Sequence, residues 1–100
     1  MRYETLDAGA VQAALETVDG WALAPSGKAI TRTFVFRNFV EAFGFMTECA
    51  LLAEKLDHHP DWSNSYSRVE VSLTTHVTKG LTDRDFKLAQ AMDQAFLRRN

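Results

Sequence analysis

The stretch Arg68–His76, RVEVSLTTH, alternates apolar and polar residues more cleanly than any other part of the chain. Val69, Val71 and Leu73 share one parity, and Glu70, Ser72, Thr74 and His76 share the other. Successive side chains of a strand point to opposite faces, so the first set is expected to meet the core and the second to face away from it. His76 therefore falls on the polar side.

Working outward, the strand is preceded by a short strand-like run around Ser63 to Tyr66 and by a polar break, DHHPDWSN. Upstream of the break lies the strongest helical pattern, from Asn38 to about Leu56. Phe39, Phe43, Met46, Ala50 and Ala53 form one stripe on it, and Ala42, Phe45, Cys49, Leu52 and Leu56 form a second beside the first. So wide an apolar arc exceeds what contact with one sheet requires, and in a small domain the second surface is expected to be another subunit.

Further upstream, GWALAP and KAITRTFVF have strand composition and are separated by Pro25, Ser26 and Gly27, which predicts an antiparallel hairpin. Ile30, Phe34 and Phe36 share one parity, interrupted by Arg32. Val11, Ala14, Leu15 and Val18 recur at helical spacing between Asp7, a plausible cap, and the stop at Asp19-Gly20. Downstream, Thr82 caps the last helix, flanked by a hydrophobic staple of Leu81 and Phe86 and supported by Asp85 at the third helical position. Phe86, Ala89, Met92 and Phe96 supply its buried stripe.

The predicted order is α-β-β-α-β-β-α, an α+β fold in which a four-stranded antiparallel sheet carries three helices packed on one face. The 100 residues are expected to form one domain spanning 1–100. Such a sheet leaves its other face open, either as a binding surface or as a subunit interface.

Charge narrows the partners. Eleven Lys and Arg against 13 Asp and Glu leave a formal charge of −2, which offers no broad attraction to nucleic acid or anionic membranes. Arg98 and Arg99 read as complements to the dipole of the last helix. Cys49, the one cysteine, has no partner within the chain and should pack as a small hydrophobe. The N-terminal MRYETLDAGAVQ lacks an apolar core of signal-peptide length, and no run approaches the ~20 apolar residues of a membrane span, so the cytoplasm is the expected compartment.

Chemistry is expected where KLDHHPDW, Lys55–Trp62, sets two of the three histidines side by side. Imidazole can act as acid or base near neutrality. Pro60 biases His59 toward extended backbone, so His58 and His59 should project in different directions and flank a substrate. Three imidazoles also form a known zinc set, but none stands at the i, i+4 spacing that joins two ligands on one helix face, and Asp57 and Asp61 could be supporting carboxylates or simply solvated. No metal is expected. Trp21 and Trp62 could stack on a flat heterocycle or serve the core, and Glu54 and Asp85 have the same double reading.

The segment AFGFMTECALLAEKLDHHPDWSNSYSRVEVSLTTH, followed by GLTDRD, resembles the pterin-4a-carbinolamine dehydratase family. Glu54, Lys55, Asp57, His58, His59, Pro60 and Trp62 stand in the family order, with Thr75, His76 and Asp85 at the family's separation downstream. The likeness runs from about Trp21 to the last helix; the first helix is its least diagnostic part, and SNSY and HVTKG vary without touching the histidines. It implies dehydration of 4a-hydroxytetrahydropterin to quinonoid dihydropterin, which recycles the cofactor of aromatic amino acid hydroxylases and needs neither metal nor redox cofactor. It implies His58, His59 and His76 as the catalytic set, and Trp21, Glu54, Asp57, Pro60, Thr75 and Asp85 as substrate-binding candidates. It also implies a homodimer or homotetramer, and, since animal members serve as dimerisation cofactors of a homeodomain transcription factor, a second role through the helical face.

Overall fold

Seven elements follow one another in the expected order: α1 (Ala8–Leu15), β1 (Ala22–Leu23), β2 (Ile30–Val35), α2 (Phe39–Leu56), β3 (Asp61–Ser65), β4 (Arg68–Leu73) and α3 (Asp83–Leu97). They are seen in a computed structural model that describes residues 4–99. The four strands form one antiparallel sheet in the order β1-β2-β4-β3, so β4 lies in the interior between two partners. Register follows from the burial parity. Val69 stands opposite Phe34, and Val71 opposite Arg32 and Trp62, all on the face that the helices cover.

The core grows from that face. Ile30, Phe34, Val69 and Leu73 have no exposed surface, and Phe45, Cys49, Leu88, Ala89 and Met92 meet them from the helices. Phe34 packs 4.7 Å from Phe45 and 5.1 Å from Phe96, centroid to centroid. Fully burying one such side chain contributes about 1.5–3 kcal/mol. Arg32, the interruption in the parity of β2, is accommodated because its guanidinium stacks 4.4 Å from the Phe34 ring centre and pairs with Asp93 of α3 at 2.8 Å. Gly20, at φ +88, makes room for it, since a Cβ there would approach the guanidinium carbon to 3.0 Å.

The two stripes of α2 divide only in part: Ala53 of the first is buried with the core, Leu52 and Leu56 of the second are half-buried, and Val40 and Leu51 belong to neither. Ala42, Phe45 and Cys49 are buried, whereas Phe39, Val40, Phe43 and Leu51 are 46–77% exposed. One half of the apolar arc thus builds the core, and the other half faces outward. Arg98 and Arg99 lie just past the last turn of α3, and both pair with Glu48 of α2, so they fasten one helix to the other in addition to any effect on the dipole. β1 is shorter than its sequence suggests, covering only Ala22–Leu23, and Trp21 just before it is buried with its indole N–H on Asp93 of α3.

Candidate active site

α2 ends by a local device. Asp57 adopts left-handed backbone at φ 53, its N–H donates to Glu54 O at 3.1 Å, and the N–H of His58 donates to Ala53 O at 3.0 Å. This closes the helix and reverses the chain; aspartate tolerates the conformation better than most residues other than glycine and asparagine. The turn drives His58 inward to 7% exposure, and Pro60 follows with His59 left exposed on the surface. The neighbouring imidazoles do project differently.

His58 meets a carboxylate that has no contact with solvent. Its Nε2 lies 2.6 Å from Oδ1 of Asp85. Oδ2 of Asp85 accepts from the Thr75 hydroxyl at 2.8 Å and from the Thr82 N–H at 2.9 Å, the latter completing the capping box of α3. Because the Thr75 hydrogen is committed to Asp85, the Thr82 hydroxyl donates to Thr75 Oγ1 across their 2.8 Å contact. Three donors therefore satisfy one buried carboxylate, which is the condition for keeping a charge out of water. A carboxylate at Nε2 favours the tautomer with its hydrogen there, which leaves Nδ1, a nitrogen that no protein group among the described residues hydrogen-bonds, as the acceptor.

The other two histidines also have acidic neighbours. His59 Nε2 lies 2.8 Å from Oε1 of Glu54, one turn back on α2, and His76 Nε2 lies 3.2 Å from Oδ2 of Asp61 at the start of β3. All three imidazoles border one open cleft of about 180 Å³, lined by Asp57, His58, His59, Thr74, Thr75, His76 and Val77. Two roomier grooves, of about 370 and 510 Å³, contain no histidine. The smaller cleft is the one that collects the imidazoles; the larger two are lined by charged groups without histidine, Arg32, Asp61 and Glu70 in one and Asp83, Arg84 and Lys87 in the other. Among the described residues no group of three His, Cys, Asp or Glu side chains is arranged to hold a metal ion.

Of the residues singled out in the sequence, His58, His59, His76, Asp57 and Thr75 meet at this cleft, with Asp85 behind His58 and Glu54 beside His59. Pro60 is half-buried between His59 and β3 and does not line it. Trp21 is not brought there: its indole N–H donates to Asp93 Oδ1 at 2.8 Å and its ring stands edge-on to Phe34, 6.0 Å away. Burial lifts the Asp93 carboxyl above its ordinary range, while the bonds from Trp21 and Arg32 oppose the rise. Residues the sequence did not single out for the site are Thr74 and Val77 in the lining, while Thr82, read only as the cap of the last helix, stands behind Asp85. Asp61, read as support or solvated, belongs beside His76; the signal was strand register, which puts it opposite Ser72, four residues before that histidine.

A sequence profile of the family described as Pterin 4 alpha carbinolamine dehydratase matches residues 4–95. A relative from Rhizobium johnstonii, named "Putative pterin-4-alpha-carbinolamine dehydratase", is 58% identical over 98 residues, 98% of this chain and 97% of its own. A relative of the same name from Chelativorans is 56% identical, covering 93% of this chain and 95% of its own. Among solved structures, the transcriptional coactivator/pterin dehydratase from Brucella melitensis superposes with a TM-score of 0.90 at 47% identity, covering 92% of this chain and 98% of that one. A pterin dehydratase-like protein identified as a RuBisCO assembly factor in the alpha-carboxysome shares the fold at a TM-score of 0.67 and 17% identity, covering 77% of this chain and 89% of its own.

Proposed function

The chain belongs to the pterin 4 alpha carbinolamine dehydratase family, and from that premise we propose that it dehydrates a 4a-hydroxytetrahydropterin to the quinonoid dihydropterin, recycling the cofactor of an aromatic amino acid hydroxylase. The observation that carries this reading is the meeting of three imidazoles, each beside a carboxylate, at one open cleft. In the reaction the C4a–O bond breaks as the hydroxyl takes a proton, and the C4a=N5 double bond forms as N5 loses one. Water leaves, and no electrons are exchanged with any other species. Histidine suits both transfers, and each positioned acid or base contributes about 10²–10⁴ in rate. His58, His59 and His76 are the proposed acid–base set. Asp57 and Thr75 border the substrate, Asp85 and Glu54 orient His58 and His59, and Pro60 fixes the backbone between the imidazoles and β3. Trp21, which the family likeness offers as a substrate wall, acts from the core in this reading.

The same reading takes the 100 residues as one domain working in the cytoplasm as a homodimer or homotetramer, with no nucleic acid or membrane as direct partner; no helix among the described residues is long and apolar enough to cross a membrane. The test is to mix purified protein with freshly generated 4a-hydroxytetrahydropterin and follow formation of the quinonoid product by absorbance. Acceleration over the spontaneous reaction, unaffected by chelator, is expected. A rate equal to the spontaneous one overturns the proposal, and a loss on chelation that zinc restores overturns its metal-free mechanism.

A second reading is favoured by the outward half of α2. Phe39, Val40, Phe43 and Leu51 form an exposed apolar face on a helix otherwise committed to the core, and such a face suits a dimerisation or transcriptional cofactor. Oligomer-exchange and pull-down experiments test it; failure of any mixed complex through α2 removes it. The two roles use different residues and are compatible.

A further inference from the structure

Asp61 opens the edge strand β3, with its backbone fixed opposite Ser72 on the face of the sheet that the helices leave open. Its Oδ2 lies 3.2 Å from Nε2 of His76. The histidine is also held at its backbone. Thr75 N–H donates to Gly80 O at 3.0 Å, and the N–H groups of Thr78 and Lys79 donate back to Thr75 O at 3.2 and 2.9 Å, so His76 rides on a closed turn. Both ends of the contact are thus positioned by main chain, which lowers the entropy lost in pairing them.

As a bare surface ion pair the contact would contribute little, about 0–1 kcal/mol, since the two side chains are 60% and 74% exposed. Its importance comes from what else surrounds the ring. No other group among the described residues pairs with the His76 imidazole, so Asp61 is what biases which nitrogen carries hydrogen. His58 and His59 have carboxylates at Nε2 in hydrogen-bonding geometry, from α3 and α2 respectively. The Asp61 contact is close without that alignment, as catalytic contacts often are before substrate binds and tightens them. We infer that Asp61 is a positioning residue for the proposed dehydration, holding His76 with hydrogen on Nε2 so that Nδ1 exchanges the proton with the pterin. The inference rests on the dehydratase reading.

The test is a double-mutant cycle on the full chain with Asp61→Ala, His76→Ala and the double variant, plus Asp61→Glu and ¹⁵N NMR of the His76 ring. Asp61→Ala is expected to lower kcat about tenfold with KM nearly unchanged, less than the ~10²–10⁴ of an acid–base group itself. Asp61→Glu should recover most of the loss, and Asp61→Ala should cost nothing further in the His76→Ala background. An unchanged kcat, or an equal loss in both backgrounds, overturns the inference. If the parent has no dehydratase activity, the function fails separately. The NMR arm still reads the contact: Asp61→Ala should erase a preference for the Nε2–H tautomer, and an unchanged tautomer ratio contradicts the positioning.

Discussion

Nε2 of His58 lies 2.6 Å from Oδ1 of Asp85, and this contact joins the end of α2 to the start of α3 through the wall of the cleft. The same carboxylate caps α3 and anchors Thr75, the residue immediately before His76. One buried side chain therefore sets the tautomer of one histidine and the backbone position of another. Stability and site geometry are coupled at Asp85.

Removing that carboxylate strands its donors. Asp85→Ala leaves the Thr82 N–H, the Thr75 hydroxyl and the His58 Nε2–H without their acceptor, and each buried unsatisfied group costs about 1–3 kcal/mol. Urea unfolding should show a loss of at least about 3 kcal/mol, with Asp85→Asn, which keeps one acceptor oxygen, losing less.

Asp93 gives a pH signature. Its carboxyl is raised from the ordinary 3.8, first by burial, against the lowering effect of Trp21 and Arg32. A carboxyl raised in the folded state holds its proton more tightly there than in the unfolded chain. Its stabilising share is complete below the ordinary value and is lost as pH climbs through the raised one. The stability of the parent relative to Asp93→Asn should accordingly fall as pH rises from 3.8 through that window, measured as paired unfolding curves. A relative stability that increases with pH over the same range would contradict the assignment.

Burial also disarms the single thiol. Cys49 is fully covered, and desolvation, aided by Glu48, pushes its thiol up to about 12. The thiolate is the nucleophile, so native protein should resist alkylation near neutral pH and label only on unfolding. Labelling at the rate of a free thiol in native buffer would show that the core around α2 opens locally.

On the outward stripe of α2, the Phe39 and Phe43 rings lie 5.5 Å apart and are 46% and 52% exposed. If this stripe is the subunit contact, Phe43→Glu should shift sedimentation from oligomer to monomer while leaving far-ultraviolet circular dichroism unchanged, because the charge costs little on a face the core does not use. A parent that sediments as a monomer, or a variant that sediments like an oligomeric parent, counts against it.

The fold was legible where one face of an element carries the pattern. Val69, Val71 and Leu73 announced β4, and Thr82 with Leu81, Asp85 and Phe86 announced the start of α3. Pro60 made the divergence of His58 and His59 readable as well. What stayed hidden depends on long-range placement. Nothing local tells Trp21 that Asp93, 72 residues away, will take its N–H, or tells Arg32 that two phenylalanine rings will cover its charge. The place of Asp61 beside His76 required the β3–β4 register, and Asp85 read first as a cap because its other oxygen reaches across the fold to His58, just past the end of α2. The outward half of α2 was legible as an excess of apolar residues, but sequence patterning carries no information about what covers it.

The central claim is that the imidazoles at this cleft carry the dehydration. It is tested most directly by kcat/KM for a 4a-hydroxytetrahydropterin with the parent and with His58→Ala, His59→Ala and His76→Ala, each first shown to be folded. Losses of about 10²–10⁴ are predicted for the residues that transfer protons. Three folded variants that all process the carbinolamine as fast as the parent would contradict the account.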